Sequence, residues 1–277
     1  MKIKKAALTF ILLLFSQSCF AVDIQELNID FFNKFNDEHL SFYIQEALNN
    51  NHDLKKTAHV VEQYRQQTKY SLGQELPSLS VGANYLGVKV PELDNFQLKK
   101  NAFVLPFIAS YEADLLLKNR DKTRAIKKSY ETAKFNEKAV YLALLSDVAA
   151  VYTNILRYDD LIENQEELLK IQEEILNRNN KKFEYGVINL TDLNNAKKSV
   201  EASKSTLENL KKERETAVMQ LAVLIGNSAA NTANMKFGNF DSFEYSGDIP
   251  KEVSSDIIFA RPDVKAAEAN LEKAQID

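Results

Sequence analysis

The sequence is poor in the residues that interrupt helices and in those that cross-link chains. Its 277 residues include 7 glycines, 5 prolines, 1 cysteine and no tryptophan. Scarce glycine and proline favour long helices over a β-sandwich or an α/β enzyme. The single cysteine, Cys19, excludes a disulfide within the chain. A formal net charge of -4 provides no basic footprint for nucleic acid, so we expect no nucleic-acid partner.

The sequence also lacks the residue clusters that enzymes and metal proteins use. Its three histidines, His39, His52 and His59, have no cysteine or acidic partner that completes a metal site. Its glycines are scattered and form no phosphate-binding loop. We therefore predict that the protein is not an enzyme and that it has no metal site and no cofactor.

We predict a secretory signal peptide over residues 1–18. Three lysines precede an apolar run at 6–15, which is too short to span a bilayer as a helix. No later run reaches that length, so entry into a membrane would require a β-barrel or a lipid. Cys19 lies where a bacterial lipoprotein is cleaved and acylated. The alternative is cleavage after Ala21, which would discard Cys19.

Alternating apolar residues predict a β-hairpin over residues 77–114, after N-terminal helices at 19–76. Each strand is about ten residues long, which is the length of a transmembrane strand. The alternative is an amphipathic hairpin on a soluble core. Pro106 weakens the second strand because proline cannot donate to a ladder. The apolar face consists of Leu79, Val81, Ala83, Tyr85, Phe103, Leu105, Phe107, Ala109 and Tyr111.

Residues 115–226 are predicted to form a long helical hairpin that reverses at Gly186. The returning helix has a seam with 3-4 spacing, which is typical of a coiled coil. Only Ser203 and Arg214 in this seam are not apolar. We expect Arg214 to lay its methylene stem along the seam and to keep its charge in water. The seam comprises Leu193, Ala196, Val200, Ser203, Leu207, Leu210, Arg214, Ala217, Leu221 and Leu224.

The end of the chain repeats the pattern of its beginning. Residues 227–258 are polar and without clear period, so we predict an irregular linker. A helix then restarts in 259–277, and the residues after Asp263 resemble those after Asp53. The sequence therefore predicts the start of a second repeat, truncated at the end of the chain. Such a half is expected to assemble poorly and not to conduct alone, because three copies supply too few strands for a duct.

Five motifs, in this order of elements, resemble the TolC-like outer membrane factors. They are EALNN at 46–50 followed by DL, LPSLS at 76–80, YEADL at 111–115, YGVINLTDL at 185–193 and RPDVKAAE at 261–268. One departure is local: Leu116-Leu117-Lys118 stands where the family has aromatic-Gly-basic. The resemblance implies a mainly α fold, with long antiparallel coiled-coil helices and a two-stranded contribution to a shared transmembrane β-barrel.

The resemblance also implies a function, which is that of an outer-membrane channel subunit in a tripartite export system. It would be a passive duct for drugs, metals or other small solutes, with a helical domain in the periplasm. Full-length chains would form a homotrimer and work with a periplasmic adaptor, an inner-membrane pump and outer-membrane lipid. The alternatives are a periplasmic adaptor, which also carries a helical hairpin, and a non-functional truncated fragment.

The resemblance implies three groups of site residues besides the lipidation candidate Cys19. Gly186, Val187 and Leu190 would contact the adaptor at the hairpin tip. Thr191 and Asp192 would help to close the tunnel entrance, or would only cap a helix with Thr191 as the cap. The lipid face of the barrel strands would comprise Leu79, Val81, Tyr85, Phe103, Phe107 and Tyr111.

Overall fold

The computed structural model of the protein describes residues 30–89, 99–247, 252 and 254–276. The chain divides into two compact units. The first, here the helical unit, comprises the described residues up to 58 and from 137 to 255. The second, here the strand unit, comprises those from 59 to 136 and from 256 onwards. The mainly helical class predicted from the sequence is confirmed.

The helices and strands lie in the order that the sequence predicts. They are α1 (Asp30–Asn33), α2 (Glu38–Asn50), α3 (His52–Gln74), β1 (Ser78–Val81), β2 (Asn84–Lys89), β3 (Lys99–Val104), β4 (Phe107–Ser110), α4 (Lys118–Glu184), α5 (Leu190–Leu224), α6 (Ser255–Phe259) and α7 (Pro262–Ile276). Two short 3-10 helices, Ala229–Asn234 and Phe240–Ser242, follow α5. The division into six sequence segments stays a prediction.

The strands form two antiparallel ladders where the sequence predicted two continuous strands. β1 pairs with β4, and β2 pairs with β3. Both ladders share one register, since Val81 pairs with Phe107 and Asn84 pairs with Val104, three residues further along each strand. The gap lies at Pro106, whose carbonyl accepts a bond of 3.0 Å from the Gly82 N–H. Because proline has no N–H to return, the ladder is interrupted there.

The predicted seam of α5 is the buried face of that helix. Leu193, Val200 and Leu207 are only 3–7% exposed. From 191 to 216, all the seam positions are buried or half-buried and all the other residues are exposed. Residues at a 3-4 spacing fall on one side of a helix, so a single stripe suffices to pack α5 against its partner.

The two seam residues that are not apolar have partners on α4. Ser203 accepts a hydrogen bond of 2.6 Å from the Gln165 side-chain amide. Arg214 makes two bonds to the Asp159 carboxylate, one of them 3.2 Å long, and its guanidinium lies 5.6 Å from the centre of the Phe237 ring. The Arg214 side chain remains 34% exposed. Its guanidinium is also stabilised by a carboxylate that the sequence pattern did not identify.

Three ion pairs join α4 to α5 with the same polarity. Asp159 pairs with Arg214, and Glu166 lies 3.0 Å from Lys211. A third pair joins Glu173 to Lys204 at 3.7 Å. In each pair the acid lies on α4 and the base on α5. Exposed pairs stabilise little individually, but their common direction favours one alignment of the two helices.

The C-terminal end of α5 meets the N-terminal end of α3. Asn51 caps α3, because its side-chain oxygen accepts the backbone N–H of Leu54 at 3.0 Å. Its amide nitrogen donates to the Leu224 carbonyl at 2.8 Å. A Cβ on Gly226 would lie 2.5 Å from the Asn50 carbonyl oxygen. One asparagine and one glycine thus join two helix ends that are far apart in sequence.

The segment after α5 packs on the core of the helical unit, although the sequence predicted only an irregular linker. The Tyr152 hydroxyl donates to the Asp37 carboxylate at 2.7 Å and accepts the backbone N–H of Gly238 at 3.0 Å. Phe237 and Phe243 lie within 6.2 Å of the Tyr152 ring, measured between centroids. Burial, followed by the bond to Asp37, raises the pKa of Tyr152. Isolated aromatic residues without a period provide no sequence signal for such packing.

In the strand unit, the C-terminal part of α3 and helix α7 each contact the first part of α4. Ser71 of α3 and Thr123 of α4 are buried and hydrogen bonded at 2.8 Å. On α7, Asn270 accepts a bond of 3.1 Å from Thr132, and Glu272 lies 2.6 Å from Lys128. The restarted helix of the predicted second repeat therefore packs on the first part of α4.

One helix among the described residues, α4, is long and apolar enough by length and composition to cross a membrane. This corrects the expectation that no run after residue 15 would qualify. The count of uninterrupted apolar residues missed it because a few charges divide the helix. Leu145, Val148 and Tyr152 of α4 are fully buried in the core of the helical unit.

Candidate functional site

The helical hairpin reverses through a tight turn at Gly186. The N–H of Gly186 donates to the Phe183 carbonyl at 2.9 Å, and that of Val187 donates to the Lys182 carbonyl at 2.8 Å. These two bonds define a Schellman motif, which satisfies the last free carbonyls of α4. Gly186 has φ +70, a left-handed conformation that residues with a Cβ rarely adopt. The predicted reversal at this glycine is thus present.

Helix α5 begins with Asn189 as its cap, not with Thr191. The Asn189 side chain accepts the backbone N–H of Asp192 at 2.8 Å. Thr191 and Asp192 lie in the first helical turn and are exposed. The expectation that Thr191 is the cap was wrong, because the chain enters the helix two residues earlier at a side chain of similar capping ability. Their role in closing a tunnel entrance stays a prediction.

The turn carries apolar side chains that no described part of the chain covers. Tyr185 is 83% exposed, Val187 is 68% exposed and Leu190 is 57% exposed. We call these three residues the tip patch. The sequence interpretation included Val187 and Leu190 but not Tyr185. Its position immediately before the turn glycine is a signal that could have identified it.

The tip patch has the exposed apolar composition of a protein-binding surface. Exposed apolar side chains that lose contact with water on binding stabilise a complex. Lys181, Lys182 and Glu184 are exposed beside the patch and form a polar rim of mixed sign. The rigid turn holds the patch at the end of two packed helices, so little conformational entropy is lost on docking.

The strand residues predicted to face lipid lie on one side of the ladders. Directly opposed residues share a face of a sheet, and the register opposes Leu79 to Ala109, Val81 to Phe107 and Tyr85 to Phe103. All six predicted lipid-face residues are 59–71% exposed. The other face holds Ser78, which is bonded to Ser110 at 2.7 Å between hydroxyl oxygens. Lipid contact of these residues stays a prediction.

The remaining predicted sites are described only in part. Cys19 lies outside the described residues, and its acylation stays a prediction. Among residues 30–89, 99–247 and 254–276, no group of three His, Cys, Asp or Glu side chains is arranged to hold a metal ion.

The chain matches the family model described as "Outer membrane efflux protein" over residues 43–227. That match includes the strands, the hairpin turn and the seam. The chain therefore belongs to the outer membrane efflux protein family. The resemblance to TolC-like outer membrane factors, predicted from the five motifs, is confirmed.

Curated relatives carry related names. The probable efflux pump outer membrane protein TtgC of Pseudomonas putida is 26% identical over 246 residues, which is 87% of this chain and 50% of the relative. The probable outer membrane lipoprotein SilC of Salmonella typhimurium is 28% identical over 87% of this chain and 52% of its own length. The cation efflux system protein CusC of Escherichia coli is 26% identical over 86% of this chain. The chain spans about half the length of these relatives.

Solved structures share the fold. The Campylobacter jejuni CmeC outer membrane channel superposes with a TM-score of 0.76 at 25% identity, covering 88% of this chain and 53% of that one. The Neisseria gonorrhoeae MtrE outer membrane channel, in its open state, gives a TM-score of 0.71 at 26% identity, covering 87% and 53%.

Proposed function

We propose that this chain is a subunit of an outer-membrane channel, a passive duct without enzymatic activity in a tripartite export system. The observation that carries the proposal is the exposed tip patch on a chain of this family. Drugs, metals or other small solutes would be the cargo; among the relatives, CusC is named a cation efflux system protein and TtgC a probable efflux pump outer membrane protein. A periplasmic adaptor would dock at the tip, with an inner-membrane pump beyond it.

The strands would contribute to a barrel that a homotrimer of full-length chains shares. Two strands cannot remain alone in lipid, because their edge N–H and C=O groups would have no partners. Their exposed apolar face, from Leu79 to Tyr111, would contact outer-membrane lipid, and the serine-bearing face would line the water-filled lumen. Acylation of Cys19 would add a second anchor.

Matched substitutions on adjacent strand residues test the membrane part of this proposal. Val81→Arg places a charge on the lipid face, at an expected cost of about 2–4 kcal/mol near the bilayer centre. Ser80→Arg places the same charge on the opposite face. In cells that express the complete gene, Val81→Arg should reduce recovery from the outer membrane in a density gradient, and Ser80→Arg should not. Equal recovery of both variants, or wild-type protein in the cytoplasm, would contradict the proposal.

Export itself is tested by deletion of the complete gene. Deletion should raise sensitivity to at least one drug or metal salt, and the wild-type gene should restore resistance. The lipid is tested by radiolabelled palmitate, which should label the wild type but not Cys19→Ser. A wild-type protein without label would show that Cys19 is removed with the signal peptide.

Thr191 and Asp192 would contribute to entrance closure through contacts with neighbouring helices. Both are exposed in the first turn of α5, and the cap that this turn needs is provided by Asn189. Thr191→Val with Asp192→Asn should therefore raise the conductance of the reconstituted channel without loss of helix content. Unchanged conductance would assign both residues a purely local role.

A further inference from the structure

A pair of leucines between β4 and α4 is almost fully exposed. Leu115 is 87% exposed and Leu116 is 90% exposed. Leu117, the next residue, is 48% exposed. We call residues 115–117 the leucine loop. Exposed leucines are common singly, but neighbouring ones at this exposure indicate a surface that is covered in use.

Backbone hydrogen bonds hold the leucine loop in place. The Leu117 carbonyl accepts the N–H of Asp121 at 2.8 Å, which begins helix α4. The Asp114 carboxylate accepts the N–H of Arg120 at 3.0 Å and closes the loop from the other side. Leu117 itself has φ +61, a left-handed conformation that residues with a Cβ rarely adopt. The leucines therefore project from a fixed turn.

Basic side chains follow the leucine loop directly. Lys118 and Arg120 are exposed, and within the described part of the chain neither side chain forms an ion pair. Further along α4, Arg124 lies 3.0 Å from Asp121 and Lys128 lies 2.8 Å from Glu131. The two cations nearest the leucines are thus available for an external anion.

The exposed apolar face of the strands leads into the leucine loop. Phe107 on β4 and Tyr111 just after it are both exposed, and the loop begins four residues after Tyr111. Along the chain, the apolar strand face is followed by the projecting leucines and then by the two cations. The layers of a bilayer follow the same order, from the acyl chains to the phosphates. Leucines at such a boundary enter the acyl region, while lysine and arginine reach phosphate groups.

We propose that the leucine loop inserts into the phospholipid interface of the membrane, with Lys118 and Arg120 bound to lipid phosphates. The proposal rests on the membrane location of the strands proposed above. The loop would fix the depth of the strands relative to the bilayer, and it would do so with leucines at the place where the family has an aromatic residue and a glycine.

Residues 1–277 contain no tryptophan, so a tryptophan placed in the loop provides a direct test. In the protein expressed from the complete gene, Leu116→Trp adds one indole to the loop, and the unsubstituted protein serves as the blank. The purified protein is reconstituted into vesicles of phosphatidylethanolamine and phosphatidylglycerol with brominated acyl chains, which quench indole emission on contact. We expect a blue-shifted emission in unbrominated vesicles and a loss of most of that emission in brominated ones.

Two further single-tryptophan variants separate this proposal from the proposed function. Phe107→Trp reports on the strand face, and Tyr185→Trp reports on the hairpin tip, which should stay in water and unquenched. If Phe107→Trp is quenched and Leu116→Trp is not, the loop proposal is overturned while the channel proposal stands. If neither is quenched, both fail. A blue-shifted but unquenched Leu116→Trp would show that protein, not lipid, covers the loop.

The role of the cations has its own matched control. In the Leu116→Trp background, Lys118→Gln with Arg120→Gln should reduce the quenching, and the reduction should grow with the share of phosphatidylglycerol. Lys197→Gln with Lys198→Gln removes the same charge from exposed positions on α5 and should leave quenching unchanged. Equal quenching in both double variants would overturn the assignment of phosphate contacts to Lys118 and Arg120.

Discussion

The two helices of the hairpin end at glycines of the same conformation but in opposite surroundings. Gly186 after α4 and Gly226 after α5 both have φ +70. The N–H of each glycine donates to the carbonyl of the residue three positions earlier, at 2.9 Å for Gly186 and 3.0 Å for Gly226. The backbone at both ends is therefore the same Schellman motif. The local sequence does not determine what lies beyond the turn.

Beyond the turn, one end is packed and the other is open. A Cβ on Gly226 would meet the Asn50 backbone, whereas one on Gly186 would have no described atom within 4 Å. The packed end is joined to α3 by Asn51, and the open end carries the tip patch. The comparison indicates that the packed end maintains the fold and that the open end is available for a partner.

Replacement of Gly226 is expected to have the largest effect on stability. Gly226→Ala has two costs. The alanine must adopt a left-handed conformation, and its Cβ would lie 2.5 Å from the Asn50 carbonyl oxygen, a backbone atom that cannot move aside as a flexible side chain would. We expect a loss of about 2–5 kcal/mol in the free energy of unfolding. Urea unfolding, followed by the helical circular dichroism signal, provides the measurement. A loss equal to that of Gly186→Ala would show that the two ends do not differ.

Removal of the Tyr152 hydroxyl is expected to have an intermediate effect. Tyr152→Phe leaves the Asp37 carboxylate oxygen and the Gly238 N–H without this partner. We expect a destabilisation of about 1–3 kcal/mol. Tyr64→Phe, at a half-buried tyrosine of α3 in the strand unit, is the matched control and should change the unfolding midpoint little.

The raised pKa of Tyr152 predicts that the protein becomes less stable in alkali. Its pKa lies above the ordinary value of 10.0 because burial and the bond to Asp37 both favour the neutral phenol. Because this pKa is higher in the folded state than in the unfolded chain, the neutral Tyr152 hydroxyl stabilises the fold fully below pH 10. This stabilisation is lost as the pH rises above 10. Tyr152→Phe should flatten this decline in a series of unfolding midpoints. A parallel decline in both proteins would assign it to other groups.

Replacement of Gly186 is expected to have a smaller effect, limited to backbone strain. Gly186→Ala should destabilise the protein by about 1–2 kcal/mol, since space for the methyl group is open. The measurement is the same urea unfolding. A loss above that of Gly226→Ala would reverse the comparison.

The sequence predicted the features that repeat and missed those that depend on single contacts. The seam of α5 was predictable because a helical period repeats over ten positions. The partner of Arg214 was not, because Asp159 is close only when two distant segments align. The cap at Asn189 was missed for a related reason: Asn189, Thr191 and Asp192 all suit a helix start, and the backbone path selects among them.

Exposure was the part of the candidate site that the sequence could not provide. Periodicity placed Val187 and Leu190 near a turn, but only the packed structure distinguishes an uncovered apolar residue from one that the core buries. The same holds for Leu115 and Leu116, which a sequence window cannot separate from buried leucines of α4 such as Leu145. Burial depends on which segments meet, and single-chain patterns contain that information only where they repeat.

The tip patch is expected to affect stability least and docking most. Tyr185→Ser, Val187→Ser and Leu190→Ser together remove exposed apolar surface and no buried contact. Each should change the free energy of unfolding by no more than about 0.5 kcal/mol. Export should nevertheless fall, at unchanged protein level and trimer content. Normal export by the triple variant would show that the tip patch is not required for export.

The most direct test of the central claim is photo-cross-linking at the tip in living cells. A benzophenone amino acid is placed at Val187, with Glu215, an exposed residue of the same hairpin, as the control position. We expect irradiation to join Val187, but not Glu215, to a periplasmic adaptor that mass spectrometry identifies. Cross-links to an adaptor from Glu215 alone, or from neither position while export proceeds, would contradict the assignment of the open end as the docking surface.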